Sequence, residues 1–251
     1  LDLGIAYLAA TDTDDDGRAE RLLGAALRGH RDDVTVATTF GYDIAPRLWE
    51  PPVSGPRQDW SPEFAGRALD ASLGRLRTEP VDLWLLHHPG MDAISSEELF
   101  EFLQAQVEKG KIRHFGVALG PGPGWGEEGA AAIQERRVAA VETVYNVAEQ
   151  DPGRELAGLA REAGAGLVVR DPLAPRLAAA ARARLGFLER DRDQTLDQAL
   201  VRFALADPAV ATVLPPVRDR DHLAELAAAA DLPPPTPDDL DLLAELREGR
   251  R

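Results

Sequence analysis

VDLWLLHHPG, residues Val81 to Gly90, decides the fold. An apolar run of this length, closed by Pro89 and Gly90 and set between two amphipathic stretches, reads as a parallel strand buried on both faces. In α/β folds the carboxyl ends of such strands open into the ligand crevice, so this one delivers His87 and His88 to a place where chemistry is expected. A core histidine is the bland alternative, but buried strands rarely carry a titratable ring.

Working outward, the same strand and helix unit repeats. On the amino side, Ser61 caps a helix that has Pro62 at its first position, Glu63 in its first turn, and runs through Leu76. Before it come GIAYLAAT (4–11) as a strand, TDTDDDG as a polar loop, a helix over about 18–28, and the β-branched strand VTVATTFGY (34–42). On the carboxyl side, a helix over 96–108 precedes a strand at 112–119. The Gly and Pro loop GPGPGWG then opens a helix ending near Arg137. Strands follow at 139–146, 166–173 and 211–217, interleaved with helices over PGRELAGLAREAGA, about 194–205, RDRDHLAELAAAAD and PDDLDLLAELREG.

Such alternation predicts an α/β fold with a parallel sheet and right-handed crossovers, and this many units predict a TIM-type (β/α)8 barrel. Seven strands are countable where such a barrel closes with eight. The first β/α unit is therefore expected to be missing at the amino end, where the chain starts at Leu1 rather than Met.

At 251 residues a single barrel domain over 1–251 is expected. The formal net charge of −15 argues against nucleic acid and anionic membrane surfaces, which need clustered Lys and Arg. The absence of cysteine excludes disulfides and thiolate chemistry. No stretch reads as a membrane span or leader, so a cytoplasmic protein with a small-molecule ligand is expected. The oligomeric state is not legible.

Over most of its length the chain resembles the aldo-keto reductase superfamily. The stretches that carry the likeness are DLGIAY, RAERLLGAAL, SPEFAGRALDASLGRLRTEPVDLWLLHHPG, EKGKIRHFGVAL, VETVYNVAEQ, VVRDPL and ALADPAVATVLPPVRDRDHLAEL. The resemblance implies NADPH-dependent carbonyl reduction by an Asp, a Tyr, a Lys and a His around the nicotinamide. In that chemistry the Tyr gives a proton to the developing alkoxide while the Lys lowers its pKa.

Residue by residue, this chain departs from that set. The family Asp falls on Ala9, the Tyr on Asp14 and the Lys on Thr39; the His is kept as His87. The carboxamide-holding Ser and Asn become Ala118 and Leu119, and a Gln becomes Glu142. Asp171 replaces a Ser where a pyrophosphate is expected to pass, a repulsive change. LPPVRDRDHL, with Arg218, Arg220 and His222, resembles the segment that binds the adenosine phosphate. Pro216 there removes a backbone N–H that an anion would use.

The expectation is a diverged member that does not hold NADP(H) in the usual way and keeps a His87 pocket for ligand binding or acid/base chemistry with Asp14, Asp12 or Glu142, and Arg170. The alternatives are an active NADP(H)-dependent oxidoreductase with a rebuilt donor set, or a regulatory or scaffold subunit. Alternating Asp12, Asp14 and Asp16 resemble the start of a calcium loop, but Leu23 stands where the closing Glu belongs, so a charged loop without metal is favoured. Trp49, Trp60, Trp84 and Trp125 read as pocket walls or as packing, with packing favoured for Trp84.

Overall fold

A computed structural model describes residues 2–44, 57–189 and 193–248; Trp49 of the long loop lies outside the described residues. The elements are β1 Tyr7–Ala9, α1 Arg18–Ala26, β2 Thr35–Phe40, α2 Pro62–Leu76, β3 Val81–His87, α3 Met91–Ile94, α4 Glu97–Glu108, β4 Ile112–Ala118 and α5 Gly126–Gln134. They continue as β5 Ala140–Val144, α6 Gly153–Ala163, β6 Gly166–Arg170, α7 Ala179–Ala183, α8 Leu196–Leu205, β7 Val210–Leu214, α9 Arg220–Ala228 and α10 Pro237–Glu248.

Seven strands follow one another in chain order among the described residues, as counted from the sequence, and the architecture is of the β/α-barrel class. The pairings of β1 with β2, β2 with β3, β3 with β4 and β6 with β7 are parallel. No helix among the described residues is long and apolar enough to cross a membrane. Contacts divide the chain into two compact units: one over Ile5–Pro121 and Glu127–Val141, the other over Asp2–Gly4, Gly122–Gly126 and from Glu142 onward.

In the first unit the Ser61 cap read from the sequence forms as expected, and Ser96 caps the helix expected over 96–108. Ser61 Oγ accepts from Phe64 N and Ser96 Oγ accepts from Leu99 N, each satisfying an amide that the helix start leaves open. The strands are shorter than their apolar runs. β2 stops at Phe40 because Gly41, at φ 132°, leaves the extended region; a Cβ there would lie 2.3 Å from the Trp60 ring, so only glycine lets that indole close over the strand end. Phe40 meets Trp60 edge-on and stacks on the fully buried Trp84 at 3.8 Å, which makes Trp84 a packing residue.

At the amino end of β3 the apolar run carries one buried charge, Asp82. Its carboxylate accepts from Val36 N at 2.8 Å and pairs with Arg31 and Arg113 at 2.6 Å each. Arg31 also donates to Thr78 Oγ1 and to the carbonyls of Val34 and Pro80, so the ion pair is hydrogen-bonded on both sides. This clamp ties the starts of β2, β3 and β4 together.

In the second unit, α8 begins with a capping box between Thr195 and Gln198, and Tyr145 stacks against Phe203 at 5.6 Å. β6 and β7 pair in register from Val168↔Thr212 to Arg170↔Leu214.

Candidate acid/base site

β3 ends on His87, paired in register with Ala118 of β4, and His88 N still donates to Ala118 O at 2.8 Å. At His88 the backbone turns to φ 56°, a left-handed conformation that costs a non-glycine residue about 1 to 2 kcal/mol. Successive strand residues face opposite sides. The turn cancels that alternation and brings the two imidazoles to 4.2 Å between centroids.

A loop hairpin holds the turn. Tyr42 bridges to Gln58 in antiparallel fashion, flanked by Asp43 N donating to Arg57 O and Asp59 N donating to Gly41 O, each at 2.8 Å. From there the Gln58 side-chain amide donates to the carbonyls of both His87 and His88 at 3.0 Å. The Tyr42 hydroxyl lies 3.0 Å from His88 Nδ1, and its ring stands edge-on to His87 at 5.1 Å.

The carboxylate that reaches this cluster is Asp12. It is 3% exposed, accepts from Thr39 Oγ1 at 3.0 Å, and lies 3.9 Å from His87 Nδ1; Thr39 Oγ1 is in turn 3.4 Å from that nitrogen. Burial drives its carboxyl from the usual range up to about 7, against the Thr39 hydrogen bond, with Glu20 adding to the rise and Arg75 opposing it. Glu20 is itself fully buried and held by Thr38 and Arg75. Burial, and then the charge of Asp12, also raise the Tyr42 phenol. The first unit therefore gathers two imidazoles and a phenol in hydrogen-bonding or ring contact, and a carboxyl pushed up to about 7 that is joined to them through Thr39 Oγ1.

Asp14, expected beside His87 as an alternative to Asp12 and Glu142, is exposed in the loop after β1. Asp15 and Asp16 hold positive φ and turn the chain outward into α1, leaving Asp12 as the loop carboxylate within reach. Asp15 pairs with Arg18 at the surface. The alternating aspartates thus diverge instead of converging, and no described group of three or more His, Asp or Glu is placed to hold a metal ion.

The second unit holds the remaining expected residues as sets of its own. Glu142 and Arg170 meet at 2.9 Å; burial raises the Glu142 carboxyl while Arg170 pulls it down. Asp171 has φ 53° and pairs with Arg176 at 3.0 Å, so its charge is already countered. Asn146 donates to the Asp171 carbonyl and to Glu149, and Arg176 grips Glu149 through two nitrogens. Those hydrogen bonds hold the Glu149 carboxyl below its usual range although burial pushes the other way.

Around the start of α9 the amides of Arg218 and His222 are already committed. Arg218 N donates to His222 Nδ1 at 3.2 Å, and His222 N donates to the Asp219 carboxylate at 2.8 Å. His222 is buried and lies 3.3 Å from Asp197, which also meets Arg182 and, at 3.6 Å, Arg218. Arg220 is exposed. The Asp219 carboxylate that caps this helix start places a negative charge where an anion would approach. Sequence reasoning missed Tyr42 and Gln58. The only trace of them is a Tyr directly after a strand-ending Gly41 and a Gln just before the next cap.

The model of the Aldo/keto reductase family matches residues 1–248. The uncharacterized oxidoreductase YqkF of Bacillus subtilis is 32% identical over 118 residues, which are 47% of this chain and 37% of that protein. The matched stretch therefore spans little more than a third of that relative. The aldo-keto reductase AKR11C1 from Bacillus halodurans, in its holo form, superposes with a TM-score of 0.82 at 25% identity, covering 98% of this chain and 83% of the other. An aldo/keto reductase from Klebsiella pneumoniae in complex with NADP and acetate superposes with a TM-score of 0.78 at 24% identity, covering 98% and 81%, a likeness of fold.

Proposed function

The chain belongs to the aldo/keto reductase family, and from that premise we propose that it has exchanged hydride transfer for proton transfer on a small carbonyl compound, with Asp12 and His87 as the base. The observation that carries this reading is the buried Asp12 carboxyl, hydrogen-bonded to Thr39, beside His87 and titrating near neutrality. A general base is most useful when its pKa lies near the working pH. Thr39 stands where the family lysine falls, so a hydroxyl that steadies a carboxyl replaces the ammonium that would activate a phenol.

The same reading holds that NADP(H) is not bound in the family's manner. The residues in the carboxamide positions, Ala118 and Leu119, have apolar side chains and are buried. At the phosphate end the start of α9 is capped by Asp219, and Arg218 N is taken by His222. These residues do not fit a dinucleotide, and no step of the proposed reaction uses one.

Two measurements test the reading. A fluorescence titration with NADPH is expected to show no saturable quenching. Incubation of the protein with dihydroxyacetone in heavy water is expected to exchange the hydrogens next to the carbonyl. Asp12→Asn and His87→Ala should each slow that exchange about 100-fold or more. Saturable NADPH binding with turnover of a simple aldehyde would restore the reductase reading and overturn this one.

A further inference from the structure

The Asp12 and His87 pair accounts for removal of a proton from carbon but leaves a second demand unmet. When a C–H bond beside a carbonyl is broken, negative charge develops on the carbonyl oxygen, and a positioned donor must meet it. We propose that the Tyr42 hydroxyl is that donor, backed by His88, and that the substrate is a small α-hydroxycarbonyl compound. The proposal rests on the proton-transfer reading above.

Three observations lead to Tyr42. Its hydroxyl is 3.0 Å from His88 Nδ1 and its ring is in edge contact with His87, so it stands beside the base without being its hydrogen-bond partner. It is half-buried, so a ligand in the site can touch it. The chain also holds His88 in a left-handed turn beside that hydroxyl, under two hydrogen bonds from Gln58. A strained non-glycine residue braced on several sides marks a position that the surroundings over-determine. Burial and the nearby Asp12 charge both favour the protonated phenol, the form a donor needs.

The step balances without a co-reactant. Asp12, with His87, takes the proton from the hydroxyl-bearing carbon, and the C–H electron pair becomes the new C=C bond. The carbonyl π pair moves to oxygen, which takes the Tyr42 proton, while His88 Nδ1–H donates to the phenolate left behind. Returning the first proton to the neighbouring carbon, and the hydroxyl proton of the enediol to Tyr42, gives the isomeric α-hydroxycarbonyl and regenerates every group. An α-hydroxycarbonyl is required because only its enediol has a hydroxyl on each carbon, one to receive a proton and one to return it.

The test uses Tyr42→Phe, which keeps the ring and its contacts, with circular dichroism and Tm confirming the fold. With dihydroxyacetone in heavy water, the variant should exchange about 100-fold more slowly than wild type. Glycolohydroxamate, an enediolate mimic, should shift the Tyr42 ring-carbon NMR signal of tyrosine-labelled protein and bind the variant about tenfold more weakly. Exchange by Tyr42→Phe at the wild-type rate overturns the donor role while leaving the Asp12 and His87 reading intact. If wild type exchanges nothing but the hydroxamate still moves the Tyr42 signal, the enolisation reading falls, and of the present proposal only Tyr42 as hydrogen-bond donor to the oxygen of a bound α-hydroxycarbonyl compound stands. An unmoved Tyr42 signal at saturating hydroxamate, with no exchange, overturns both.

Discussion

The first unit buries two aspartates at opposite ends of its strands, and they are treated in opposite ways. Asp82, at the amino end of β3, has two guanidinium partners and a backbone amide. Asp12, beyond the carboxyl end of β1, has the Thr39 hydroxyl and its own backbone amide as donors, with an imidazole nitrogen 3.9 Å away and, among the described residues, no arginine paired with it. Both are almost fully buried, at 5% and 3% exposed. Burial is therefore not what separates a structural carboxylate from a reactive one; the number of formal positive charges touching it is. One end of the strands is neutralised and fixed, while the other keeps a carboxyl poised between its two protonation states.

The comparison breaks most visibly at Asp82. Asp82→Ala leaves Arg31 and the Val36 amide without their acceptor and should lower the urea unfolding free energy by about 3 kcal/mol, with Arg113 contributing little because it is largely exposed. A loss below about 0.5 kcal/mol would show that the clamp is not structural.

The opposite sign is expected at Asp12. Its folded-state pKa lies above its unfolded value, so the native chain holds that proton more tightly, and Asp12's contribution to stability is greatest below about pH 4. The contribution falls as pH rises towards about 7 and levels off above that. Asp12→Asn keeps an acceptor for Thr39 but removes the charge. It should be more stable than wild type by about 2 kcal/mol at about pH 8, with the difference vanishing near about pH 4, as read by urea unfolding at both values. Equal stabilities at the higher pH would mean that the carboxyl is not held against ionisation.

Smaller effects sharpen the contrast. Thr39→Val removes the hydrogen bond that restrains the rise, so NMR titration should show the Asp12 carboxyl moving further up, at a stability loss of about 1 kcal/mol. Gln58→Ala should lose about 1 kcal/mol or less and broaden the His87 and His88 ring signals without changing the Asp12 titration.

What was legible in the sequence follows from periodicity and caps. Val81–His87 appeared as a strand because its apolar run is broken only by Asp82, and Ser61 marked a helix start because its hydroxyl answers a fixed geometric need. Asp82 escaped notice inside that apolar run because its partners Arg31 and Arg113 are 51 and 31 positions away. The loop after β1 left a choice open for a different reason: TDTDDDG offers several equivalent carboxylates, and loop geometry, which has no period, brings Asp12 rather than Asp14 near His87. Arg170 and Glu142 were both named from sequence and do meet, in the second unit. His222 resembled a phosphate-segment residue, whereas its ring ties Arg218 N to Asp197 across the start of α9.

The left-handed turn at His88 has a consequence for anyone transplanting this arrangement. Copying the dipeptide onto the end of another extended strand would send one imidazole into the interior and the other toward the helices. What must travel is the kink with its Gln58 brace, since proximity here is a property of the backbone path and the side chains inherit it.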